Sequence, residues 1–377
     1  MTNTIKRLSQ KYAASKRWAK MAVAAACVLA FAPAPAEPQV RAQLQDLGGP
    51  GDQPFAGDPF AADEVIDFRE NMRLLVQNTS AFARAFNPNF VILAEDGLGL
   101  VSKPNPEDET QLFPARAFVR AIDGVLELRL LERLAPYTST DGTQEDPALT
   151  ARRDVLQQNL KTARRLGVKV LNLEFSEKPK EISELLTQSS TQGFAPFVGS
   201  DPILGDVPKT PKRAFNANPQ NLDDIRQARN FIYVANSQGF GTASDYVQAL
   251  SMTNHDVIIT SVFHGRQPLS KLDVHRLKYK KLGARRLVLA ELDLSSAATY
   301  HYYWQENWRQ GAPAFISLPY VKDPDRFRTI YWDPGWQRVL FGDANSYLYG
   351  IIDLGFDGVV LKGLRAWRYF ESGGEEE

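Results

Sequence analysis

Carboxylic acids stand at or near the ends of several short apolar runs, and two such acids close together can carry out acid–base chemistry. Glu95 and Asp96 follow one run directly, Asp293 lies near the end of another, and Asp123 lies inside a third. In a pair of carboxyl groups, one can donate a proton while the other attacks a carbon atom or activates a water molecule, as hydrolysis of a glycosidic bond requires. We therefore take these four residues as the candidate catalytic acids.

Three further acids occupy similar positions in the sequence, namely Glu174, Glu291 and Asp333. Lys362 and Arg365 follow the last apolar run and can interact with the acids in two ways. They can hold one member of an acid pair ionised, or each can neutralise a single acid in an ordinary ion pair while other acids cap helices. The second arrangement is the commoner one, because acids at strand ends are frequent whatever the function.

Aromatic residues gather in the C-terminal third of the chain. Their flat faces suit contact with the apolar C–H faces of sugars. Trp304 and Trp336 are better explained as anchors that hold helices against a sheet, whereas Tyr300 and Trp332 stand where strands pass into helices. With their polar neighbours, the candidate sugar-binding residues are Tyr300, Trp332, Asp333, Lys362, Arg365 and Trp367.

Metal and cofactor chemistry has little support in the sequence. The histidines, which are His255, His264, His275 and His301, do not show the spacing of zinc ligands. The short Gly-Phe-Gly stretch at residues 239–241 lacks the rest of a dinucleotide-binding fingerprint. The sequence therefore predicts no metal ion and no organic cofactor.

The candidate residues need a framework that brings strand ends together, and the apolar runs supply one. Most of the runs are continuously apolar, as parallel strands covered on both faces are. They alternate with helical stretches and lie at residues 90–94, 121–126, 169–175, 231–235, 257–261, 287–294, 328–332 and 358–361. Eight such runs predict an α/β fold of the (β/α)8 type, a TIM barrel, with its functional residues at the C-terminal ends of the strands.

The first 36 residues differ in composition from the rest of the chain. Six basic residues precede an apolar run at residues 21–31, and Ala34, Pro35 and Ala36 provide a small-residue cleavage site. The run is too short to cross a bilayer as a helix. This pattern predicts a signal peptide cleaved after Ala36, hence a secreted or periplasmic protein whose mature form has no membrane span. An uncleaved anchor, or acylation of Cys27, fits the pattern less well.

Beyond the expected signal peptide, the sequence divides into a leader, a large domain and a tail. Residues 37–60 are rich in Gly, Pro, Asp and Gln, which predicts a flexible leader. Residues 61–372 hold the strand candidates and a long polar insertion at residues 177–222, which we expect to line or cover a groove. Residues 373–377 are predicted to form a disordered tail.

Charge and cysteine content narrow the possible partners. Lys plus Arg and Asp plus Glu both number 44, so the formal net charge is zero and no overall field attracts nucleic acid or anionic lipid. Cys27 is the one cysteine, so the mature chain would have neither a disulfide nor a thiolate nucleophile. The sequence thus argues against nucleic acid as a partner and does not indicate a protein partner.

Several sequence blocks resemble one family of enzymes. Residues 287–304 read LVLAELDLSSAATYHYYW, residues 331–337 read YWDPGWQ and residues 355–361 read GFDGVVL. These blocks, with the strand candidate that begins at residue 256, resemble the endo-α-1,4-polygalactosaminidase-like group, glycoside hydrolase family 114. The resemblance covers roughly residues 229–371 and implies a TIM barrel that acts on an amino-sugar polymer.

The acids that this resemblance implies are replaced in this chain. Ser296 and Ala298 stand where the family block has two glutamates, and Lys362 stands where the family has an aspartate. Arg365 and Ser261 occupy two further positions at which the resemblance implies acids. None of these side chains can act as a carboxylic acid or its conjugate base. The resemblance thus supports the fold and a sugar-binding groove, but not inherited hydrolysis.

The matching blocks follow an unexpected order along the chain. Residues 69–97, 121–124 and 167–175 resemble the last third of the family's barrel, yet they precede the blocks that resemble its beginning. We interpret this order as a circular permutation, with the family's strands in the order 6-7-8-1-2-3-4-5 and residues 177–222 joining the old termini. A fragment of a tandem protein would show the same order.

The sequence leads to two functional hypotheses. In the first, the chain is a secreted glycoside-hydrolase-like barrel that recognises, and with a relocated acid pair hydrolyses, an extracellular or periplasmic polysaccharide or oligosaccharide. In the second, it is a catalytically inactive polysaccharide-binding or assembly scaffold with the same fold. An active site requires two carboxyl groups about 5 to 9.5 Å apart, whereas isolated acids in ion pairs favour the scaffold.

Overall fold

An eight-stranded parallel sheet forms the centre of the computed structural model, which describes residues 66–108, 111–136 and 146–374. All of these residues belong to one unit of the chain, Pro54–Glu377. The expected signal peptide, the expected leader and residues 375–377 of the expected tail lie outside the described residues.

The sheet curls into a nearly closed barrel. Its hydrogen-bonded order is β4-β3-β2-β1-β8-β7-β6-β5, so each strand lies beside its neighbours in the chain and β8 lies beside β1. The strands β4 and β5 end this order, and the rings of Phe197 and Phe231 meet between them at 5.4 Å. The strands are β1 Val91–Glu95, β2 Gly124–Leu128, β3 Lys169–Phe175, β4 Ala195–Gly199, β5 Phe231–Val234, β6 Val257–Thr260, β7 Leu287–Asp293 and β8 Gly358–Lys362. The predicted α/β barrel is confirmed.

Helices surround this barrel, and local sequence signals explain where several of them begin. The side chains of Thr242 and Ser270 each form a reciprocal capping box with an aspartate three residues later. Asp67 and Asp146 accept hydrogen bonds from the first turns of their helices. The α-helices of the described residues are α1 Phe68–Phe86, α2 Arg116–Ala121, α3 Leu130–Leu134, α4 Pro147–Arg165, α5 Pro179–Thr191, α6 Ala243–Ser251, α7 Lys271–Leu277, α8 Pro334–Leu340, α9 Tyr347–Asp353 and α10 Ala366–Glu371.

The long connection from β7 to α8 contains a small antiparallel sheet. Its strands are Ser296–Ala298, Ile316–Tyr320 and Asp323–Thr329, with the last of them in the middle. This sheet corrects one expectation, because residues 328–332 were predicted to form a barrel strand. The Asp323–Thr329 strand is mostly polar and only partly buried, unlike a barrel strand, and it ends before that run is complete.

The remaining barrel strand comes from the segment that the sequence predicts to be a polar insertion. Residues 177–222 contain both α5 and β4, so this segment is not a continuous loop. β4 is short and contains Pro196, and α5 buries few residues, which are Ile182, Leu186 and Ser189. The local sequence therefore predicts neither element well, and both form because tertiary packing buries them.

The register of the strands determines which side chains share the inner face of the barrel. Glu291 and Asp293, two residues apart on β7, point to the same face, and Asp293 lies beside Lys362 of β8. Glu95 at the end of β1 points to this face as well. Tyr233 on β5 reaches both Glu95 and Glu291 across the barrel, so the shared face is the interior.

The circular permutation and the absence of a membrane span were two further expectations from the sequence. A circular permutation leaves the neighbour order of a ring of strands unchanged, so the permutation stays a prediction. Among the residues that the structure describes, the helices are all too short or too polar to span a bilayer.

Candidate functional site

A large open cavity lies at the C-terminal ends of β5, β6, β7 and β8 and has a volume of about 1010 Å³. Its walls come from the loops that follow these strands, including the small antiparallel sheet after β7. Its lining includes Ser237, Ser261, Phe263, Arg266, Glu291, Asp293, Tyr300, His301, Tyr302, Tyr303, Asp323, Arg326, Tyr347 and Lys362. This is the end of the barrel at which the fold places functional residues.

Four side chains from four strands meet beneath this cavity. Glu291 and Lys362 line it, Tyr233 is buried behind them, and Glu95 is partly exposed at the end of β1. The Tyr233 hydroxyl donates to Oε1 of Glu291 at 2.6 Å and lies 3.5 Å from Oε2 of Glu95. The Lys362 ammonium donates to the same oxygen of Glu291 at 2.7 Å. Lys362 also lies beside the Tyr233 ring, with its Nζ 5.7 Å from the ring centroid. We call Glu95, Tyr233, Glu291 and Lys362 the floor cluster.

The floor cluster contains two acids in different electrostatic settings. Burial raises the pKa of Glu95 to about 7, even though Lys362 opposes the shift, and the neighbouring carboxylates of Asp96, Glu291 and Asp293 raise it further. Burial alone would lower the pKa of Lys362, but the charges of Glu291 and Glu95 outweigh it and raise that pKa. Near neutral pH, Glu95 therefore holds a proton for much of the time, while Lys362 stays charged beside Glu291.

The floor cluster also brings its two acids close together. The two contacts of the Tyr233 hydroxyl, at 2.6 and 3.5 Å, place the nearest oxygens of Glu95 and Glu291 no more than about 6 Å apart. Burial, with the nearby charges of Glu291 and Glu95, holds the pKa of Tyr233 well above its ordinary value, so this hydroxyl remains a donor. The sequence singled out Glu95, but it placed Glu291 only among the further candidates.

Asp293 belongs to a second, separate cluster beside the floor. Arg326 of the antiparallel sheet pairs with its carboxylate, and the backbone N–H groups of Ser295 and Ser296 donate to it at 2.9 and 3.0 Å. Burial alone would raise the pKa of Asp293, but Arg326, these hydrogen bonds and Lys362 together lower it. An acid that stays ionised in this way positions the loop and is a poor proton donor.

Gly363 explains how β8 can pass so close to this second cluster. Its φ of +77° lies in the region that favours glycine, and a Cβ atom there would clash with the side chain of Ser295 and lie 2.9 Å from the Asp293 carboxylate. A glycine after Lys362 thus allows the Asp293 loop and the end of β8 to pack together.

Aromatic side chains form one wall of the cavity. Tyr300 and Tyr302 are about half exposed, at 48% and 53%, and Phe263 stacks on Tyr302 with ring centroids 6.1 Å apart. Behind them, Tyr303 packs edge-on against the buried Trp336 at 5.8 Å. The Tyr300 hydroxyl donates to Asp323 at 3.3 Å. We call Phe263, Tyr300 and Tyr302 the aromatic wall.

Asp96 and Arg365 interact with each other next to the floor cluster but outside the cavity lining. Asp96 follows β1 in a left-handed conformation, with φ of 51°. Its carboxylate lies 3.2 Å from Arg133 and 3.7 Å from Arg365. The candidate acid Asp96 and the candidate ligand residue Arg365 are thus explained by ion pairing, and neither lines the cavity.

Asp123 lies at the opposite end of the barrel from the cavity. The apolar run begins at residue 121, but β2 begins only at Gly124, so Asp123 precedes the strand instead of ending it. Its carboxylate accepts from Arg84 at 2.9 Å and from the backbone N–H of Ile92 at 2.8 Å. As a candidate catalytic acid, Asp123 is therefore corrected to a structural acid at the N-terminal ends of β1 and β2.

Three predicted sugar-binding residues contribute to packing outside the cavity. Trp332 lies against Phe370, with ring centroids 4.8 Å apart. The run at 328–332 is not a barrel strand, so it does not bring Trp332 to the C-terminal ends of the strands. Asp333 caps α8 by accepting from the backbone N–H of Gly335 at 2.6 Å. Trp367 is buried beneath the guanidinium of Arg69, which lies 4.2 Å from its ring. Of the six predicted sugar-binding residues, Tyr300 and Lys362 line the cavity.

Sequence reasoning missed Tyr233, Asp323 and Arg326. Tyr233 sits in the apolar run FIYV, where its hydroxyl is the one polar side-chain group, and a buried hydroxyl usually has a partner. Arg326 and Asp323 lie in a segment without apolar character, so nothing local marks them. As for metal ions, the described part of the chain shows no cluster of three His, Cys, Asp or Glu side chains that could hold one.

Comparison with known proteins finds similarity to proteins that are themselves uncharacterized, and no family model matches the chain. The chain is 36% identical over 83 residues to an uncharacterized protein of Deinococcus radiodurans, which is 22% of this chain and 26% of that protein. It is 24% identical over 184 residues to one of Methanocaldococcus jannaschii, covering 48% of this chain and 51% of that protein. The chain thus spans between a quarter and half of the length of these relatives.

One similar solved structure is a chitinase from Bacteroides thetaiotaomicron. The similarity covers 72% of this chain and 88% of the chitinase chain, with a TM-score of 0.35 and 10% sequence identity. The fold assignment rests on the strand order of the barrel itself. The similarity to glycoside hydrolase family 114 stays a prediction from the sequence.

Proposed function

We propose that this barrel recognises a polysaccharide outside the cytoplasm, in the periplasm or beyond the cell, and that its ligand is an amino-sugar polymer. The observation that carries the proposal is the cavity of about 1010 Å³, in which the aromatic wall stands beside Glu291 and Lys362 of the floor cluster. A sugar ring has apolar C–H faces and polar hydroxyl edges, and such a cavity offers partners to both.

The cavity offers each part of a sugar a matching contact. Tyr300 and Tyr302 present exposed ring surface for stacking. Arg266, Asp323 and Lys362 bring charged groups to the same lining, where they can bind hydroxyl or amino groups. The openness of the site to solvent suits one section of a long chain, with the rest of the polymer extending outside.

Binding measurements with defined polymers test this proposal. We expect the protein to be retarded in affinity gels that contain galactosamine-rich exopolysaccharide, and less so in gels with neutral glucans. Tyr300→Ala combined with Tyr302→Ala should weaken binding about tenfold, because two stacking surfaces are lost. The matched control is Tyr279→Ala, since Tyr279 is 42% exposed, follows α7 and does not line the cavity.

Two results of the binding measurements would count against the proposal. Equal loss of binding in Tyr279→Ala and in the wall variant would mean that the cavity is not the binding site. Retention by none of the amino-sugar or neutral polymers would overturn the proposal as a whole.

A second candidate function is a catalytically inactive scaffold that binds or assembles polysaccharide. It is favoured by the ion pair between Glu291 and Lys362, since Lys362 occupies a position at which the family resemblance implies an acid. Binding without release of reducing ends, measured on the same polymers, would support the scaffold.

Secretion is part of the proposal and has its own test. The basic and apolar N-terminal segment supports export with cleavage after Ala36. We expect the mature protein, recovered from the periplasm or the medium of an expressing bacterium, to begin at Glu37. N-terminal sequencing that finds Met1 on the exported protein would contradict cleavage.

A further inference from the structure

We propose that Glu95 and Glu291, with Tyr233 between them, form an acid pair that hydrolyses a glycosidic bond of the bound polysaccharide. This inference rests on the proposed function, because it requires a sugar in the cavity. The pair does not occupy the positions at which the family resemblance implies acids, which in this chain are Ser261, Ser296, Ala298, Lys362 and Arg365. It consists of acids that the fold brings together from β1 and β7.

The geometry of the pair comes from three strands that share the inner face. One hydroxyl hydrogen on Tyr233 serves one acceptor at a time, and Glu291 at 2.6 Å is much closer than Glu95 at 3.5 Å. Glu291 thus receives both this hydrogen bond and the ammonium of Lys362 at 2.7 Å. Both donors therefore bind Glu291, and this leaves its carboxylate held in place beside the cavity.

Glu95 is in the opposite situation. Among the described residues it has no ion-pair partner within contact distance, and its one side-chain hydrogen-bond contact is the long one to Tyr233. Because burial raises its pKa to about 7, Glu95 carries a proton that it can give up near neutral pH. A protonated acid beside a second carboxyl group that is held by two donors offers the division of roles that glycoside hydrolysis needs.

The proposed reaction gives each of the two acids one role. The Glu291 carboxylate attacks the anomeric carbon and forms a glycosyl ester, while the bond from that carbon to the leaving oxygen breaks and Glu95 gives its proton to that oxygen. Water then enters. Glu95, now ionised, takes a proton from the water as its oxygen attacks the same carbon, and Glu291 leaves as a carboxylate. The net change is addition of one water across one glycosidic bond, with both acids restored.

The short distance between the acids fits this two-step route. Their nearest oxygens lie no more than about 6 Å apart, and direct attack by a carboxylate is typical of pairs separated by about 5 to 5.5 Å. Such a mechanism retains the configuration at the anomeric carbon. Asp293 is a poor substitute for either acid, since Arg326 and two backbone N–H groups already bind it.

The test measures binding and cleavage in parallel on the same polymers. Wild-type protein is incubated with galactosamine-rich exopolysaccharide and with oligosaccharides of other amino sugars, and the release of reducing ends is followed. Glu95→Gln and Glu291→Gln should each reduce cleavage by about 100-fold or more. Both variants should bind within a few-fold of wild type, because each glutamine keeps the shape of the side chain.

A second readout separates the role of Glu95 from a structural one. An aryl glycoside with a good leaving group needs no protonation, so Glu95→Gln should still form the glycosyl ester from it. Added azide should then release the sugar as a glycosyl azide of retained configuration, detected by NMR. Glu291→Gln should not show this rescue, because it lacks the attacking carboxylate.

The matched control is Glu174→Gln, the same substitution at a buried acid that faces the helices. Glu174 accepts from the backbone N–H of Leu131 at 2.9 Å and from Asn172 at 3.0 Å, and it does not line the cavity. This variant should cleave at the wild-type rate.

The outcomes distinguish this inference from the function on which it rests. Binding without cleavage of any of these polymers overturns the acid pair and leaves sugar recognition standing. Cleavage that survives in Glu95→Gln and Glu291→Gln overturns it too, as does a product of inverted configuration. Failure to bind any of the polymers would remove the proposed function along with the acid pair.

Discussion

The two sides of the barrel interior differ sharply in chemistry. At the level of Glu95, the inner faces of β2, β3 and β4 present Leu126, Leu171 and Ala195, which are all fully buried. On the other side, β5, β7 and β8 present Tyr233, Glu291 and Lys362. One ring of strands thus contains an apolar half and a charged half.

This difference explains why the pKa of Glu95 is raised. Glu95 stands at the border, beside Leu126 on one side and near Lys362 on the other. The apolar strands keep water away and raise its pKa, whereas Glu291 lies within reach of a cation and a hydroxyl. The same residue type therefore has different electrostatic surroundings according to the half in which it lies.

The largest effect is expected in the apolar half. Phe197→Ala should lower the free energy of unfolding by about 3 to 5 kcal/mol, because it removes the ring that packs on Phe231 where β4 and β5 meet. Urea denaturation measures this loss. The control Phe113→Ala, at a position that is 52% exposed, should change stability little. Weaker polymer binding in the folded Phe197 variant would show that the two halves are not independent.

The next effect is expected in the charged half. Lys362→Met should lower the free energy of unfolding at pH 7 by on the order of 3 kcal/mol, because Glu291 is left without its cation. Combining it with Glu291→Gln should restore much of that loss, and a double-mutant cycle in urea measures the coupling. Additive losses would mean that the pair does not stabilise this half.

A smaller effect, with a definite sign, is expected at the border. The pKa of Glu95 is raised from 4.5 to about 7, so the folded protein binds this proton more tightly than the unfolded chain does. Its contribution to stability is therefore present at low pH and lost as the pH rises from 4.5 through 7. Glu95→Gln should accordingly be more stable than wild type at pH 8, by up to about 3 kcal/mol, and about equal to it at pH 4.

Thermal unfolding at the two pH values checks this prediction. Glu291→Gln is the comparison, because it removes an acid that is already paired and should bring no gain at pH 8. A gain of the same size in both variants would show that general charge reduction, and not burial of Glu95, is responsible.

The smallest effect is expected on the aromatic wall. Tyr300→Phe removes the hydroxyl that donates to Asp323 but keeps the ring. Polymer binding should weaken by less than about fivefold, since a half-exposed hydrogen bond contributes roughly 1 kcal/mol or less. A loss as large as that of the Tyr300→Ala and Tyr302→Ala variant would mean that the hydroxyl, and not ring stacking, holds the sugar.

Much of the fold could be predicted from the sequence, because continuously apolar runs mark parallel strands. Seven of the eight runs fall on barrel strands, while the run at 328–332 does not. Residues 195–199 escaped notice because a short strand that begins Ala-Pro has little local signal. The predicted start of β2 had its largest consequence at Asp123. The strand begins at Gly124, three residues later than the predicted start at residue 121, so Asp123 lies at the N-terminal end of the barrel.

The site was harder to predict than the fold. Glu95, Lys362 and Tyr300 lie where the sequence placed them, at the C-terminal end of the barrel. Trp332 and Trp367 looked equally suitable from their neighbours in the sequence, yet both pack outside the cavity. Sequence shows that an aromatic residue is near a strand end, but not which way it faces.

By itself, the sequence determined a ring of parallel strands and a supply of acids and aromatic residues at their ends. Only the tertiary structure decided that Glu95 and Glu291 share one hydroxyl, that Lys362 pairs with Glu291, and that Asp293 is bound by Arg326. The physical reason is that pairing depends on the register and curvature of strands far apart in the chain. The residues around a side chain in the sequence do not indicate which residue it will contact across the barrel.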